Sequence, residues 1–137
     1  VGRNTACAIL CLLPEIGVLN SNKITKLAGL APIPNESGTS VKKTAHTRGG
    51  RKNVRTALYM PCMVACRCNP VLRPYYQRIR ERKGGKGVKG SGAIALTACM
   101  RKLLIHINSV ARIVREKMQR NVAAVGCGEA AQASPCR

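Results

Sequence analysis

Aspartate is absent from this 137-residue sequence, and its five acids, Glu15, Glu36, Glu81, Glu116 and Glu129, lie far apart along the chain. Metal-dependent phosphodiester cleavage needs several carboxylates converging on ions about 4 Å apart. Scattered glutamates do not supply them, so no metal or other cofactor is expected to bind this chain. Phe and Trp are also missing and aromatics make up only 2% of the residues, so the core must be assembled from Leu, Ile, Val, Ala, Met and Cys. No uninterrupted apolar run reaches the roughly 18 residues of a membrane span, and no membrane partner is expected. Eight cysteines are present, yet none stand as Cys-x-x-Cys, and neither His46 nor His106 is at finger-like spacing from a cysteine pair. The start Val1-Gly2-Arg3-Asn4 carries no secretory apolar region. The cysteines therefore read as reduced, buried thiols in a cytoplasmic setting.

What the sequence has in excess is positive charge. Lys and Arg number 24, and the formal net charge is +19. A field of that size favours polyanions, of which nucleic acid is the usual one. A membrane-lytic cation would need one continuous amphipathic helix, and Gly and Pro interrupt this chain too often for that. At 137 residues, with 45% apolar content, one domain with a modest core is expected.

Periodicity and punctuation predict a mainly α fold. Asn4–Leu13 reads as a short buried helix capped by Asn4 or Thr5 and stopped by Pro14. A second short helix, Asn22–Leu27, follows a Ser21 cap and ends near Gly29. Pro32, Pro34, Gly38, Gly49 and Gly50 make residues 30–50 a loop, with a short β-ribbon around Val41–Thr47. Arg51–Cys68 is helical, with Val54, Leu58, Val64 and Ala65 as its apolar stripe, and Pro61 should kink or split it. A helix over Val71–Lys83 and a basic Gly-rich linker at 83–92 come next. The longest helix runs from Ala93 to about Met118, with Ile94, Ala98, Met100, Leu104, Ile107 and Val110 on its apolar face. One domain over 1–118 and a disordered tail over 119–137 complete the expectation.

Within the loop, Ser37 is the residue with the most chemical promise. It sits among Pro and Gly with no carboxylate beside it except Glu36, and a cationic field follows: Lys42, Lys43, His46, Arg48, Arg51, Lys52 and Arg55. A serine hydroxyl becomes a nucleophile only when its proton is accepted and the phosphate charge is neutralised. Arg48, Arg51, Lys52 and Arg55 are the candidates for the second task. Arg73 and Arg78, flanking Tyr75-Tyr76, and Lys102 extend the basic surface expected to meet nucleic acid. Tyr59 reads as core. Ser-Gly is also ordinary turn chemistry, so a noncatalytic basic module binding DNA or RNA, of the ribosomal-protein kind, is the alternative class.

Several ordered segments together resemble a known family. They are Leu27-Ala28-Gly29-Leu30-Ala31-Pro32, Ser37-Gly38, Gly49-Gly50-Arg51-Lys52-Asn53-Val54-Arg55-Thr56-Ala57-Leu58-Tyr59-Met60, Asn69-Pro70-Val71-Leu72-Arg73-Pro74-Tyr75-Tyr76-Gln77-Arg78 and Ala98-Cys99-Met100-Arg101-Lys102-Leu103-Leu104. In this order they are similar to the C-terminal domain of insertion-sequence 110/116/902 transposases, over roughly residues 1–112. The resemblance implies a DNA recombinase whose serine falls on Ser37, with DNA as partner, a guide RNA in some members, and further copies or a full-length transposase in the assembly. It implies a separate acidic N-terminal domain that holds magnesium, and a helix-hairpin-helix near the start onto which Val1–Ala6 would map. A bacterial, nucleoid-associated location goes with it. By this likeness the chain is expected to be a truncated copy, inactive alone.

Overall fold

The computed structural model describes residues 2–32, 35–36, 42–43, 47, 49–84 and 90–129, with backbone alone for the strand residues and for 123–129. Five helices and a two-stranded ribbon occur among them: α1 (Arg3–Leu12), α2 (Ser21–Leu27), β1 (Asn35–Glu36), β2 (Lys42–Lys43), α3 (Lys52–Cys68), α4 (Leu72–Arg82) and α5 (Ser91–Glu129). The fold is mainly α, as its periodicity predicts. β1 and β2 pair antiparallel, Asn35 opposite Lys43 and Glu36 opposite Lys42, so the ribbon starts earlier than the sequence suggested. The residues onto which the resemblance maps a helix-hairpin-helix, Val1–Ala6, are the N-cap Gly2 and the first turn of α1, with Val1 outside the described residues.

α3 is the central helix and runs unbroken through Pro61. Proline inside a helix removes a backbone donor and costs about 3 kcal/mol. Burial of Val54, Leu58, Cys62 and Cys66, spaced every four residues on one face, offsets this. Of the expected stripe beyond Leu58, Ala65 packs partly buried against the core, whereas Val64 is exposed. The buried line continues instead through two cysteines, which pack as small apolar residues.

α5 lies across α3 and α4 and also meets α2. Its buried face carries Ala95, Leu96, Cys99, Met100, Leu103 and Leu104; of the expected face Met100, Leu104 and Ile107 meet the core, whereas Ile94 and Val110 are half exposed. By length and composition Ser91–Val122 could cross a membrane, but its mean hydropathy only reaches 1.2, and the apolar side chains of its first half form the core. The helix continues past Met118 to Glu129, further than the predicted boundary, and residues 130–137 lie outside the described residues. The Gly-rich segment 85–89 lies outside them too, and α5 begins at Ser91, just after Gly90 with φ +89.

One buried polar residue joins the ends of the chain. Asn108 on α5 is 1% exposed; its Oδ1 accepts from the Gly17 amide at 2.8 Å and its Nδ2 donates to the Leu19 carbonyl at 3.0 Å. Arg112 adds a bond to the same carbonyl at 3.2 Å. The turn between α1 and α2 is thereby held on α5, and its buried polar groups are satisfied. Gly17, at φ +80, lies so close to the Ala111 backbone that a Cβ would crowd it at 3.1 Å.

The six cysteines whose side chains are described are free thiols. Cys62, Cys66 and Cys99 are buried as predicted, with the Cys62 and Cys66 sulfurs 4.0 Å apart. Burial pushes the Cys99 thiol up to about 12 and the Cys62 thiol well above the ordinary range. Cys7, Cys11 and Cys68 are exposed, contrary to the expectation of buried thiols.

Candidate nucleic-acid interface

The segment bearing Ser37 leaves and rejoins the body at one place. α2 ends in a left-handed glycine: Gly29, at φ +69, donates to Lys26 O at 2.9 Å, and Leu30 donates to Thr25 O at 2.9 Å. This paired pattern is the Schellman ending, for which glycine is the favoured residue. Leu30 then buries its side chain in the core. On the return, Gly50 has φ +68, and its α-carbon faces the backbone of Ala28 and Gly29. A Cβ on Gly29 would overlap Gly49 O, and a Cβ on Gly50 would overlap the Gly29 backbone. The Arg51 amide closes the contact by donating to Leu27 O at 2.9 Å.

Two of the expected phosphate ligands are built into this junction. The Arg51 guanidinium grips Glu15 with two bonds, at 2.9 and 2.7 Å, and also donates to Leu12 O at 2.9 Å. The hydrogen bond from Arg51 holds the Glu15 carboxyl below its usual value, and the same bond raises Arg51. Arg55 Nη1 donates to Gly49 O at 2.6 Å and to Ala28 O at 3.2 Å, bridging the outgoing and returning chain. Glu15 was missed as a partner because it lies 36 residues from Arg51 in sequence.

The remaining candidates divide into three groups. Ser37, His46 and Arg48 lie outside the described residues, and Lys42 and Lys43 are described only as the backbone of β2. Lys52 opens α3 and is exposed. Arg73, Arg78 and Lys102 are exposed on α4 and α5, and packing of these helices brings the last two together. Lys102 Nζ lies 4.3 Å from the Tyr75 ring centroid and the Arg78 guanidinium carbon 5.6 Å from it. Tyr75 and Tyr76 are both partly buried against the core. Tyr75 thus serves as a platform for two cations, while Tyr59, expected in the core, is 46% exposed.

Asn69 positions this surface. Its side-chain oxygen accepts from the Val71 and Leu72 amides at 2.8 and 3.3 Å, starting α4 directly after α3 ends. Among the described residues no group of His, Cys, Asp or Glu is arranged to hold a metal ion, and Glu15 is already engaged by Arg51. The described side chains do not fit the magnesium site that the resemblance assigns to a separate acidic domain.

Residues 1–77 match the family model described as Transposase IS116/IS110/IS902 family. The chain belongs to this transposase family. It is 30% identical over 83 residues to the insertion element IS110 uncharacterized 43.6 kDa protein of Streptomyces coelicolor, a match covering 60% of this chain and 20% of that protein. The transposase chain thus spans about a fifth of its relative's length. No solved structure matches it. Membership gives the chain a transposition-related role, and both the Ser37 segment and the junction that anchors it fall within the matched residues.

Proposed function

We propose that this transposase chain binds DNA and supplies Ser37 as the nucleophile of strand exchange. The observation that carries the reading is the family match over residues 1–77, which contains Ser37 and the segment it sits on. In the proposed step the Ser37 oxygen forms a bond to a DNA phosphorus and the bond to one bridging oxygen breaks. The serine proton passes to a base, and the departing DNA hydroxyl takes up a proton. The resulting phosphoserine link conserves the phosphodiester energy for the reverse attack by another DNA hydroxyl.

The crowded, anionic transition state is stabilised chiefly by fixed cations. Lys42, Lys43 and Arg48 are close to Ser37 in sequence and are proposed to act there, with Lys52 at the start of α3. Arg73, Arg78 and Lys102 are proposed to hold the flanking duplex by its phosphates, which position DNA without reading its sequence. The carboxylates for any magnesium ion come, in this reading, from an acidic domain of the transposase. A guide RNA and further copies of the transposase are the other proposed partners, in a bacterial cytoplasm at the nucleoid. Alone, the chain is proposed to bind DNA without cutting it.

Covalent capture tests the chemistry. The chain is combined with the acidic domain of a relative, that relative's guide RNA and its DNA ends, and protein–DNA adducts are resolved on denaturing gels. An adduct that forms with wild type and vanishes in Ser37→Ala is the expected result. An adduct that persists in Ser37→Ala makes another residue the nucleophile, and no adduct at all favours the noncatalytic binding module.

A further inference from the structure

We propose that Arg55 is a positioning residue that ties together the two ends of the Ser37-bearing segment, and that it is not a phosphate ligand. The inference deepens the proposed function and rests on that reading for its relevance to chemistry. Its structural basis is independent of it. A single nitrogen, Nη1, donates to Ala28 O on the outgoing chain and to Gly49 O on the returning chain, two carbonyls 21 residues apart in sequence. Gly29 and Gly50 meet backbone to backbone at the same level, both in the left-handed region, where no side chain fits. Arg51 completes the layer, with its amide on Leu27 O and its guanidinium on Glu15 and Leu12 O.

The arrangement has a functional consequence. Fixing the ends of a loop removes much of the freedom of the residues between them, and phosphoryl transfer is sensitive to displacements of about 1 Å at the reacting atom. An arginine whose Nη1 is engaged by two carbonyls offers less to a phosphate than Arg73 or Arg78, for which no such bonds occur among the described residues. Arg55 therefore acts through the backbone it holds. The charge at this position matters because a cation makes stronger bonds to carbonyl oxygens than a neutral donor does.

Amide hydrogen exchange on the 137-residue chain tests the tie directly. In Arg55→Met, exchange at Gly29, Leu30 and Arg51 should accelerate at least tenfold, while Leu103 and Leu104 of α5 keep their wild-type protection. Arg55→Lys, which retains a cation, should restore slow exchange to within about threefold. Unchanged exchange in Arg55→Met overturns the proposal. If that variant unfolds globally, Gly50→Ala serves in its place: local acceleration with α5 protected supports the junction, and wild-type exchange overturns it.

Duplex DNA titrations supply the second readout. The slope of log affinity against log salt should be the same for Arg55→Met and wild type; a fall of about 0.9, the value of one phosphate contact, overturns the proposal. In the capture assay, Arg55→Met should slow adduct formation at least tenfold at saturating DNA without changing the half-saturating concentration, and Arg55→Lys should recover the rate. Full-rate capture in Arg55→Met overturns the positioning role. If wild type forms no adduct, the Ser37 reading fails, and hydrogen exchange still decides the junction.

Discussion

The two ends of the basic surface use the same residue types in opposite ways. At the start of α3, Arg51 and Arg55 lie partly exposed along the backbone and are engaged by Glu15 and by carbonyls of Leu12, Ala28 and Gly49. On α4 and α5, Arg73, Arg78 and Lys102 stand exposed, and the last two share one aromatic ring. A formal charge of +19 does not distinguish these groups. Cations engaged by carbonyls and a carboxylate fix geometry, and cations left in solvent are the ones whose counterions DNA can release.

The largest expected effect comes from the support beneath the outer face. Leu104 is fully buried on α5, two positions from exposed Lys102. Leu104→Ala should lower stability by about 2–5 kcal/mol through lost burial and a residual cavity. Chemical denaturation measures it. A cost below about 1 kcal/mol would mean that α5 is not held on the core as described, and the grouping of Arg78 with Lys102 would lose its basis.

Gly50→Ala tests the inner region and ranks next. The new Cβ would sit in the Gly29 backbone at φ +68, so a loss of roughly 2 kcal/mol or more is expected from left-handed strain and overlap. Gly49→Ala is the control, since Gly49 is also left-handed (φ +80) but a Cβ there meets open space. Denaturation of both variants separates the two costs: only Gly50→Ala should include overlap. Equal losses would reduce the junction to ordinary turn preference.

These contrasts also explain what could be read from the sequence. The helices, the Gly29 stop and the Asn69-Pro70 break were legible because periodicity and stop signals are local, although the caps expected at Asn4 or Thr5 and at Ser21 fall on Gly2 and Asn20. The first half of the α3 stripe, Val54 and Leu58, was legible for the same reason; Cys62 and Cys66 were expected to be buried thiols, but their place on that same stripe was not read. Glu15 with Arg51, Gly29 with Gly50, and Asn108 with Gly17 are long-range pairs whose members look like surface charge, loop glycine and helix polar residue when read singly. Charge was visible in the sequence, and its partner was not. Of the candidate site, Lys52, Arg73, Arg78 and Lys102 are exposed, while Arg51 and Arg55 are engaged by Glu15 and by backbone carbonyls, partners that reading the sequence did not reveal.

A smaller effect distinguishes the inner region by pH. The bond from Arg51 lowers the folded-state value of Glu15 below its ordinary 4.5. The unfolded chain therefore binds a proton more readily than the folded one, and stability from the pair is present above the unfolded value and lost as pH falls through the folded one. The melting temperature of wild type should drop more than that of Glu15→Gln as pH is lowered from about 5 into that range. Parallel curves for the two proteins would show that the pair, being solvent-exposed, contributes nothing measurable.

The smallest effect per residue is the one that most sharply tests the outer region. Each exposed cation that neutralises a DNA phosphate contributes about 0.9 to the slope of log affinity against log salt. Arg73→Gln, Arg78→Gln and Lys102→Gln should each lower the slope by nearly that amount, with affinity falling alike on unrelated duplexes because phosphate contacts carry no base information. Lys102 and Arg78 share the Tyr75 ring, so their double variant need not equal the sum of the singles. Tyr75→Leu separates ring from charge: it keeps both cations but removes the surface that orients them, and should lower affinity with little change of slope. If the three charge variants leave the slope at its wild-type value, DNA does not lie on the α4–α5 face. The exposed cations there would then be solvated charge, and the contrast with the start of α3 would be one of structure without a counterpart in binding.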